Sequence, residues 1–144
     1  MHPYPHRYAV RAEGTDAGRV TLHHAGLEPL ASSPPVEFDG PGDAWSPETL
    51  LVAALADCFL LTFRAVARAR SLPWVALDVD VEGTLDRVDG VASFTAFRIR
   101  ARLALGAGGD EATALAALER AKKGCLISNS LKGEMTLESE VTGG

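Results

Sequence analysis

Cys58 and Cys125 are the only cysteines in the chain, and redox chemistry is the chemistry that their side chains could do. A thiolate is a nucleophile, and two neighbouring thiols can close a disulfide that another dithiol reopens by exchange. Position alone leaves two interpretations open. A thiol within an apolar helix is often a small hydrophobe, whereas the lysines before Cys125 would favour a thiolate there. Two cysteines are too few for a secreted disulfide framework or a zinc finger.

The other polar side chains form no familiar arrangement of ligands or nucleophiles. We interpret the four N-terminal histidines as solvent-facing: His2, His6, His23 and His24. His23 and His24 would point to opposite faces of a strand, so they cannot chelate one ion together. The sequence has no glycine-rich phosphate loop, dinucleotide fingerprint or nucleophile-elbow serine. We therefore expect neither a metal ion nor an organic cofactor.

Length and composition predict one ordinary globular domain spanning residues 1–144. Apolar residues make up 47% and charged residues 23% of the chain, and the net charge is −5. An acidic balance argues against nucleic acid as a partner. The N-terminal segment does not resemble a signal peptide, and the apolar run from Leu50 to Phe63 is too short to span a bilayer. We expect a cytoplasmic protein without a membrane partner, in which the thiols stay reduced.

The strongest element signal is a long central helix. Ser46 suits the N-cap and Pro47 the first helical position, and helix-forming residues continue to about Arg70. From Leu50 to Phe63 the residues are almost all apolar, with Asp57 as one interruption. A helix that is apolar nearly all round is usually buried, so we expect this one to lie in the core.

Strands and a second helix flank this element. Alternating patterns predict a β-hairpin within residues 7–24, a strand pair within residues 77–103 and a last strand over residues 135–141. A helix is predicted from about Asp110 to Lys123, with Leu115 and Leu118 facing the core and Gly124 as its stop. Strands and helices are segregated along the chain, which indicates an α+β fold.

The strand pair should carry a ladder of opposite charges. A three-residue turn of Asp89, Gly90 and Val91 would pair Val88 with Ala92. This register places acids opposite bases in the pairs Asp78–Arg102, Asp80–Arg100 and Glu82–Arg98. Each pair would contribute roughly 0.2–1 kcal/mol. We interpret the three arginines as a self-neutralised solvent face rather than an anion site, with the opposite, apolar face covering the central helix.

Two segments around the cysteines resemble the OsmC/Ohr family of osmotic-stress and organic-hydroperoxide-resistance proteins. Residues 45–59, WSPETLLVAALADCF, are similar to the family's signature helix, in which Ser-Pro-Glu precedes a small apolar run and Cys-Phe. Residues 121–128, AKKGCLIS, are similar to its second motif, Ala-Lys-x-Gly-Cys-x-x-Ser. The resemblance implies an OsmC-like fold. Antiparallel sheets would wrap long central helices in an intertwined homodimer whose active sites lie at the interface.

The resemblance also implies a reaction. It makes the protein a thiol-dependent, peroxiredoxin-like hydroperoxide reductase with an antioxidant role in the stress response. Cys58 would be the peroxidatic thiol, converted to a sulfenic acid by an organic hydroperoxide, and Cys125 the resolving thiol that closes a disulfide. A dithiol reductant, lipoyl-type in the Ohr branch, would restore both thiols. Leu55 and Phe59 could line an apolar pocket that favours organic peroxides.

The family also places an arginine–glutamate pair beside the reactive thiol. Glu48 matches the glutamate, although it precedes Cys58 by ten residues and a helix rises about 15 Å over that span. A long arginine or a second chain must therefore link them; a plain helix-start charge is the alternative for Glu48. The segment from Val36 to Gly40 lacks the arginine of the OsmC branch, and Arg19 lies near the place of the Ohr arginine.

Because the arginine of the OsmC branch is missing from this sequence, two other functions are also compatible with it. A catalytically weak OsmC-like dimer could bind a small apolar ligand in the same pocket. A structural dimer whose cysteines merely pack is a further alternative. Without a cation nearby, Cys58 would retain a thiol pKa near 8.5 or higher.

Overall fold

The first fifty residues form one unit built on a small sheet in the computed structural model, which describes residues 1–144. Its antiparallel strands are β1 (Arg11–Glu13), β2 (Val20–His23) and β3 (Leu30–Ser32). The predicted N-terminal hairpin is confirmed, because β1 pairs with β2 from Arg11 opposite His23 onward. The third strand was not predicted, and a single-turn 3-10 helix follows at Val36–Phe38.

Helix α1 spans Pro47–Ala69, close to the predicted bounds. Ser46 caps it as expected: its Oγ accepts the Thr49 N–H at 3.1 Å, and Thr49 Oγ1 accepts the Ser46 N–H at 2.9 Å. This reciprocal pair satisfies backbone donors that a helix start otherwise leaves free. At the other end, Ser71 adopts a left-handed conformation (φ 50°) that stops the helix.

The expectation that α1 is buried on all sides is wrong for the single chain. Leu55, Phe59, Phe63 and Ala67, spaced four residues apart, are fully buried, whereas Leu61 is 50% exposed. Only 22% of the most apolar 18-residue window of α1 is buried. By length and composition alone the whole 23-residue helix could cross a membrane. The prediction from the apolar run of residues 50–63 was different because that run is only part of the helix. One such helix is weak support for a span, since core helices pass the same test.

Residues 51–144 form a second unit around a three-stranded sheet ordered β4-β5-β6. Strands β4 (Trp74–Val88) and β5 (Val91–Leu105) are antiparallel, as predicted. Strand β6 (Glu134–Gly143) runs parallel to β5, which corrects the expectation of purely antiparallel sheets. Helices α2 (Glu111–Gly124) and α3 (Leu126–Asn129) lie between β5 and β6 in the chain, and such a crossover returns the chain in the same direction. The α+β class is confirmed.

The β4–β5 register combines a turn and a bulge. The turn has two residues, Asp89 (φ 51°) and Gly90 (φ 79°), so Val88 pairs with Val91, and the expected three-residue turn is wrong. An extra residue, Thr95, then shifts the pairing by one between Leu85–Phe94 and Thr84–Ala96. The predicted charge ladder is confirmed beyond the bulge, in the pairs Asp78–Arg102, Asp80–Arg100 and Glu82–Arg98.

Each arginine of this ladder makes an ion pair, which confirms the self-neutralised face. Arg102 contacts Asp80 at 2.7 Å, and Arg98 contacts Glu82 at 3.5 Å. Arg100 contacts Glu138 of β6 at 3.2 Å, an acid that the two-strand prediction did not include. The side chains are largely exposed, so these pairs contribute little stability.

The opposite face of the sheet packs against α1 and α2. Leu118 is fully buried as predicted, but Leu115 is 39% exposed and does not face the core. The fully or nearly buried side chains of this main core lie on both helices, both long strands and the loop after α1: Phe59, Phe63, Ala67, Leu72, Leu77, Ile99, Ala101, Leu103, Leu105, Ala114, Ala117, Leu118 and Ala121. The core thus fixes the helix that carries Cys58 against the sheet.

Candidate active site

The structure brings the two cysteines into contact. Cys58 lies on the middle of α1 and is half-buried, and Cys125 is fully buried at the corner between α2 and α3. Both are free thiols, and Cys58 packs against the cluster that contains Cys125. They belong to a small apolar cluster that is separate from the main core. The separation of the two cysteines along the sequence did not predict that they lie close together in the fold.

Hydrogen bonds within the corner fix Cys125. Helix α2 ends at Gly124, Cys125 has an extended backbone, and α3 begins at Leu126. The Ser128 hydroxyl donates to the Cys125 carbonyl at 3.1 Å, and the Asn129 N–H donates to the same oxygen at 3.1 Å. Ser128 is itself buried. Ile127, in the first turn of α3, packs in the same cluster as Cys58.

Hydrogen bonds stabilise the thiolate form of Cys58. Burial raises the pKa of the Cys58 thiol, but four hydrogen bonds outweigh it and lower the pKa below its ordinary value. In order of effect, the donors are the Ile127 N–H, the Cys125 thiol, the Thr62 hydroxyl and the Leu126 N–H. The groups that lower this pKa are all uncharged donors.

The pKa of the Cys125 thiol moves in the opposite direction. Burial raises this pKa most strongly, and the hydrogen bond and negative charge of Cys58 raise it further. Hydrogen bonds from the N–H and hydroxyl of Ser128 oppose the rise without cancelling it. As pH rises, Cys58 loses its proton first, and Cys125 remains a thiol that donates to the Cys58 sulfur. The pair is thus chemically unequal.

Thr62 is a polar neighbour of Cys58 that sequence reasoning did not single out. It lies one turn after Cys58 on α1, and its Oγ1 is 3.9 Å from the Cys58 sulfur. The i, i+4 spacing on one helix face was a usable signal, because such residues are neighbours. The donors of Leu126 and Ile127 had no comparable signal, since they depend on how α3 docks.

Apolar side chains surround the thiol pair. Leu55 is fully buried in the same cluster, together with Phe97, which stacks on Phe94 with ring centroids 5.2 Å apart. Phe59 is equally buried but belongs to the main core. The cluster's other, partly buried members come from α1, the sheet and the segment after α2: Leu51, Val52, Val81, Phe94, Ile127, Leu131 and Met135.

Glu48 and Arg19 are not hydrogen-bonded to each other. Glu48 lies in the first turn of α1, and its Oε2 is buried without a hydrogen-bond partner. Arg19 lies just before β2 and pairs with Asp43 Oδ2 at 2.8 Å. Ten helical residues separate Glu48 from Cys58, about 15 Å of rise, so their side chains do not meet.

The fold and the sequence of this chain match one known protein family. The family described as OsmC-like protein matches residues 40–140, and the chain belongs to this family. The resemblance inferred from the two cysteine motifs is thereby confirmed.

The relatives include proteins of known and unknown role. The chain is 29% identical to peroxiredoxin OsmC of Escherichia coli over 96 residues, 67% of this chain and 66% of that protein. It is 28% identical to the uncharacterized protein YmaD of Bacillus subtilis over 111 residues, 75% of this chain and 74% of that protein.

Solved structures support the fold. An OsmC-like protein of unknown function from Vibrio cholerae superposes with a TM-score of 0.87 at 17% identity, covering 94% of this chain and 99% of that one. An organic hydroperoxide resistance protein OsmC from Legionella pneumophila gives 0.76 at 25% identity, covering 98% and 100%. The family therefore includes peroxiredoxins and hydroperoxide resistance proteins.

Proposed function

We propose that this protein is a thiol-dependent peroxidase that reduces organic hydroperoxides to alcohols. The observation that carries the proposal is a reduced thiol pair in contact, in which the pKa of Cys58 is lowered and that of Cys125 is raised. A peroxidatic cysteine must be a thiolate to attack, and its partner must be close enough to resolve the product. Kinship with peroxiredoxin OsmC supports the same chemistry.

The first proposed step is attack by the Cys58 thiolate on the terminal oxygen of a hydroperoxide. The sulfur–oxygen bond forms as the oxygen–oxygen bond breaks, and the departing alkoxide takes up a proton to become the alcohol. Cys58 is left as a sulfenic acid. Because the Cys125 thiol donates a hydrogen bond to the Cys58 sulfur, it is placed to meet this product.

The second step is resolution. Cys125 loses its proton and attacks the Cys58 sulfur, the disulfide forms, and the sulfenic oxygen leaves as water. A dithiol reductant, of which a lipoyl-type dithiol is one candidate, then attacks the disulfide and becomes oxidised itself. The net reaction converts hydroperoxide and dithiol to alcohol, water and the oxidised reductant. The protein needs no metal or organic cofactor for these steps.

We assign the activation of Cys58 to uncharged donors rather than to an arginine. The N–H groups of Ile127 and Leu126 lower its pKa, whereas Arg19 is engaged by Asp43. Arg19 would have to exchange this partner before it could pair with Glu48 or approach a thiolate. Glu48 keeps an unpartnered buried oxygen, which a guanidinium could satisfy.

Organic rather than small polar peroxides are the proposed substrates. The surroundings of the thiol pair are apolar, and Leu55 of this cluster lies on the same helix as Cys58. An alkyl or aryl group gains about 25 cal/mol for each Å² of apolar surface that it buries there. Phe59 packs in the main core, so it would support the pocket from behind Leu55 rather than contact the substrate.

A homodimer in the cytoplasm is the proposed assembly. Leu61 of α1 is half-exposed in the single chain, Ala54 and Ala65 are exposed beside it, and water-exposed apolar surface favours association. A second copy covering this face would complete the burial that the composition of α1 predicts. It could also supply the partner that Glu48 Oε2 lacks.

The alternative is a catalytically weak dimer that binds a small apolar ligand beside the cysteines. The observation that favours it is the ion pair between Arg19 and Asp43, which withholds the cation expected from the family pattern. Adding one equivalent of cumene hydroperoxide to the reduced protein and titrating free thiols separates the two functions. The peroxidase loses two thiols, Cys58→Ser abolishes the loss, and Cys125→Ser leaves a sulfenic acid that dimedone traps. Unchanged thiols in the wild type would overturn the proposal.

A further inference from the structure

Thr62 contacts Cys58 and faces the segment that carries Cys125. Its hydroxyl donates to the Cys58 carbonyl at 2.7 Å, and its Oγ1 lies 3.9 Å from the Cys58 sulfur. Its methyl group faces the residue before Cys125, because a Cβ placed on Gly124 would lie 3.4 Å from Thr62 Cγ2. The bond to the carbonyl holds the hydroxyl beside the sulfur.

One hydroxyl proton cannot serve the carbonyl and the sulfur at once. While Cys58 is a thiol, the hydroxyl donates to the carbonyl, and the thiol can donate to Oγ1. A thiolate can only accept, so the favoured arrangement after ionisation has the hydroxyl turned toward the sulfur. A rotation about the Cβ–Oγ1 axis is enough, and no heavy atom has to move.

We propose that Thr62 is a positioning residue for the Cys58 thiolate, whose hydroxyl moves its hydrogen bond from the Cys58 carbonyl to the sulfur when the thiol ionises. This inference rests on the proposed peroxidase function, in which Cys58 reacts as a thiolate. It explains how a hydroxyl that is bonded to a carbonyl in the thiol form can act on the sulfur together with α3 and Cys125.

The competing role for Thr62 is structural. Threonine hydroxyls commonly bond the carbonyl one turn earlier in a helix and do nothing else. A structural role predicts that substitutions change stability but not the acidity of Cys58. The other groups that act on the Cys58 sulfur are the same in the wild type and in the Thr62 variants. Cys125 is the titratable one. Arg120 of α2 is the charged group on the Gly124 side, since its Nη1 lies 3.4 Å from the Cβ position that Thr62 Cγ2 also approaches. The neighbours from the sheet are apolar: Val81, Phe94, Phe97 and Met135.

The test measures the pH dependence of iodoacetamide alkylation at Cys58, resolved from Cys125 by peptide mass spectrometry. Thr62→Val removes the hydroxyl and keeps the shape, and Thr62→Ser keeps the hydroxyl. We expect Thr62→Val to raise the midpoint pH and slow alkylation at neutral pH by roughly threefold to tenfold, while Thr62→Ser stays near the wild type. An unchanged midpoint in Thr62→Val, or equal shifts in both variants, would overturn the proposal.

Two additions keep the result decisive. If Thr62→Val fails to fold by circular dichroism, the Thr62→Ser and Thr62→Ala pair isolates the hydroxyl in the same way. Alkylation needs no peroxide, so it is separate from the proposed function. Cumene hydroperoxide consumption, measured on the same proteins, fails in all of them if the peroxidase proposal is wrong, whatever the alkylation midpoints show.

Discussion

Cys58 packs beside Cys125 in one apolar cluster, where the Cys125 thiol lowers the pKa of Cys58 and the Cys58 anion raises that of Cys125. One contact therefore makes two chemically identical side chains unequal. In the proposed reaction, the residue that later resolves the sulfenic acid also helps to generate the attacking thiolate. The two roles of Cys125 should be separable by substitution.

Cys125→Ala and Cys125→Ser should differ in the reactivity of Cys58. Alanine removes the hydrogen bond to the sulfur, whereas serine replaces it with that of a hydroxyl. We expect the midpoint pH of Cys58 alkylation to be higher in Cys125→Ala than in the wild type. In Cys125→Ser the midpoint pH should stay closer to the wild-type value. Neither variant can form the intramolecular disulfide, so resolution is lost equally in both. Equal midpoints in the two variants would show that Cys125 acts only as the resolving thiol.

Ser46→Ala should destabilise the start of α1. Ser46 is 2% exposed, and the substitution leaves the Thr49 N–H without its side-chain acceptor. We expect the free energy of unfolding to fall by about 1 kcal/mol, and by only a few tenths in Ser46→Gly, since glycine is a tolerated cap. Urea denaturation followed by circular dichroism measures both. A larger loss in the glycine variant would contradict the capping role.

Leu118→Ala and Leu115→Ala form a matched pair on α2. Leu118 is fully buried in the main core, and its truncation should lower the free energy of unfolding by about 2–5 kcal/mol. Leu115 is 39% exposed, so the same truncation should cost under about 1 kcal/mol. Thermal or urea unfolding of the two variants checks the difference. Similar losses would place Leu115 in the core, as the sequence pattern suggested.

The elements that depend on local rules could be predicted from the sequence. The helix signals at Ser46 and Pro47 located α1, and alternation along β4 and β5 gave the charge ladder. The turn between these strands was predicted one residue too long. The predicted acid–base pairs are nevertheless correct, because the extra residue Thr95 in β5 shifts the pairing by one beyond the bulge. Bulges and parallel pairing, as in β6, are set by tertiary packing, which periodicity does not report.

Motifs singled out Cys58 and Cys125, but not how their sulfurs are activated. The donors of Leu126 and Ile127 are backbone groups, which every residue except proline possesses, so no residue type marks them. They reach Cys58 only because α3 starts directly after Cys125. The family pattern predicts a cation such as Arg19 beside the thiol, but Arg19 pairs with Asp43 and neutral donors already lower the pKa of Cys58.

The pH dependence of hydroperoxide reduction provides the last prediction. As pH rises through the lowered pKa of Cys58, the thiolate fraction grows, and the second-order rate constant for cumene hydroperoxide should rise with it and then level off. The midpoint should lie below that of a free thiol, because the folded protein stabilises the anion. Stopped-flow oxidation of the reduced protein over a pH series measures it. In urea the Cys58 alkylation midpoint should return to the ordinary thiol value, since the donors from α3 are lost. A folded-state midpoint at or above the urea value would show that burial outweighs the hydrogen bonds, and neutral donors could then not replace a guanidinium at this site.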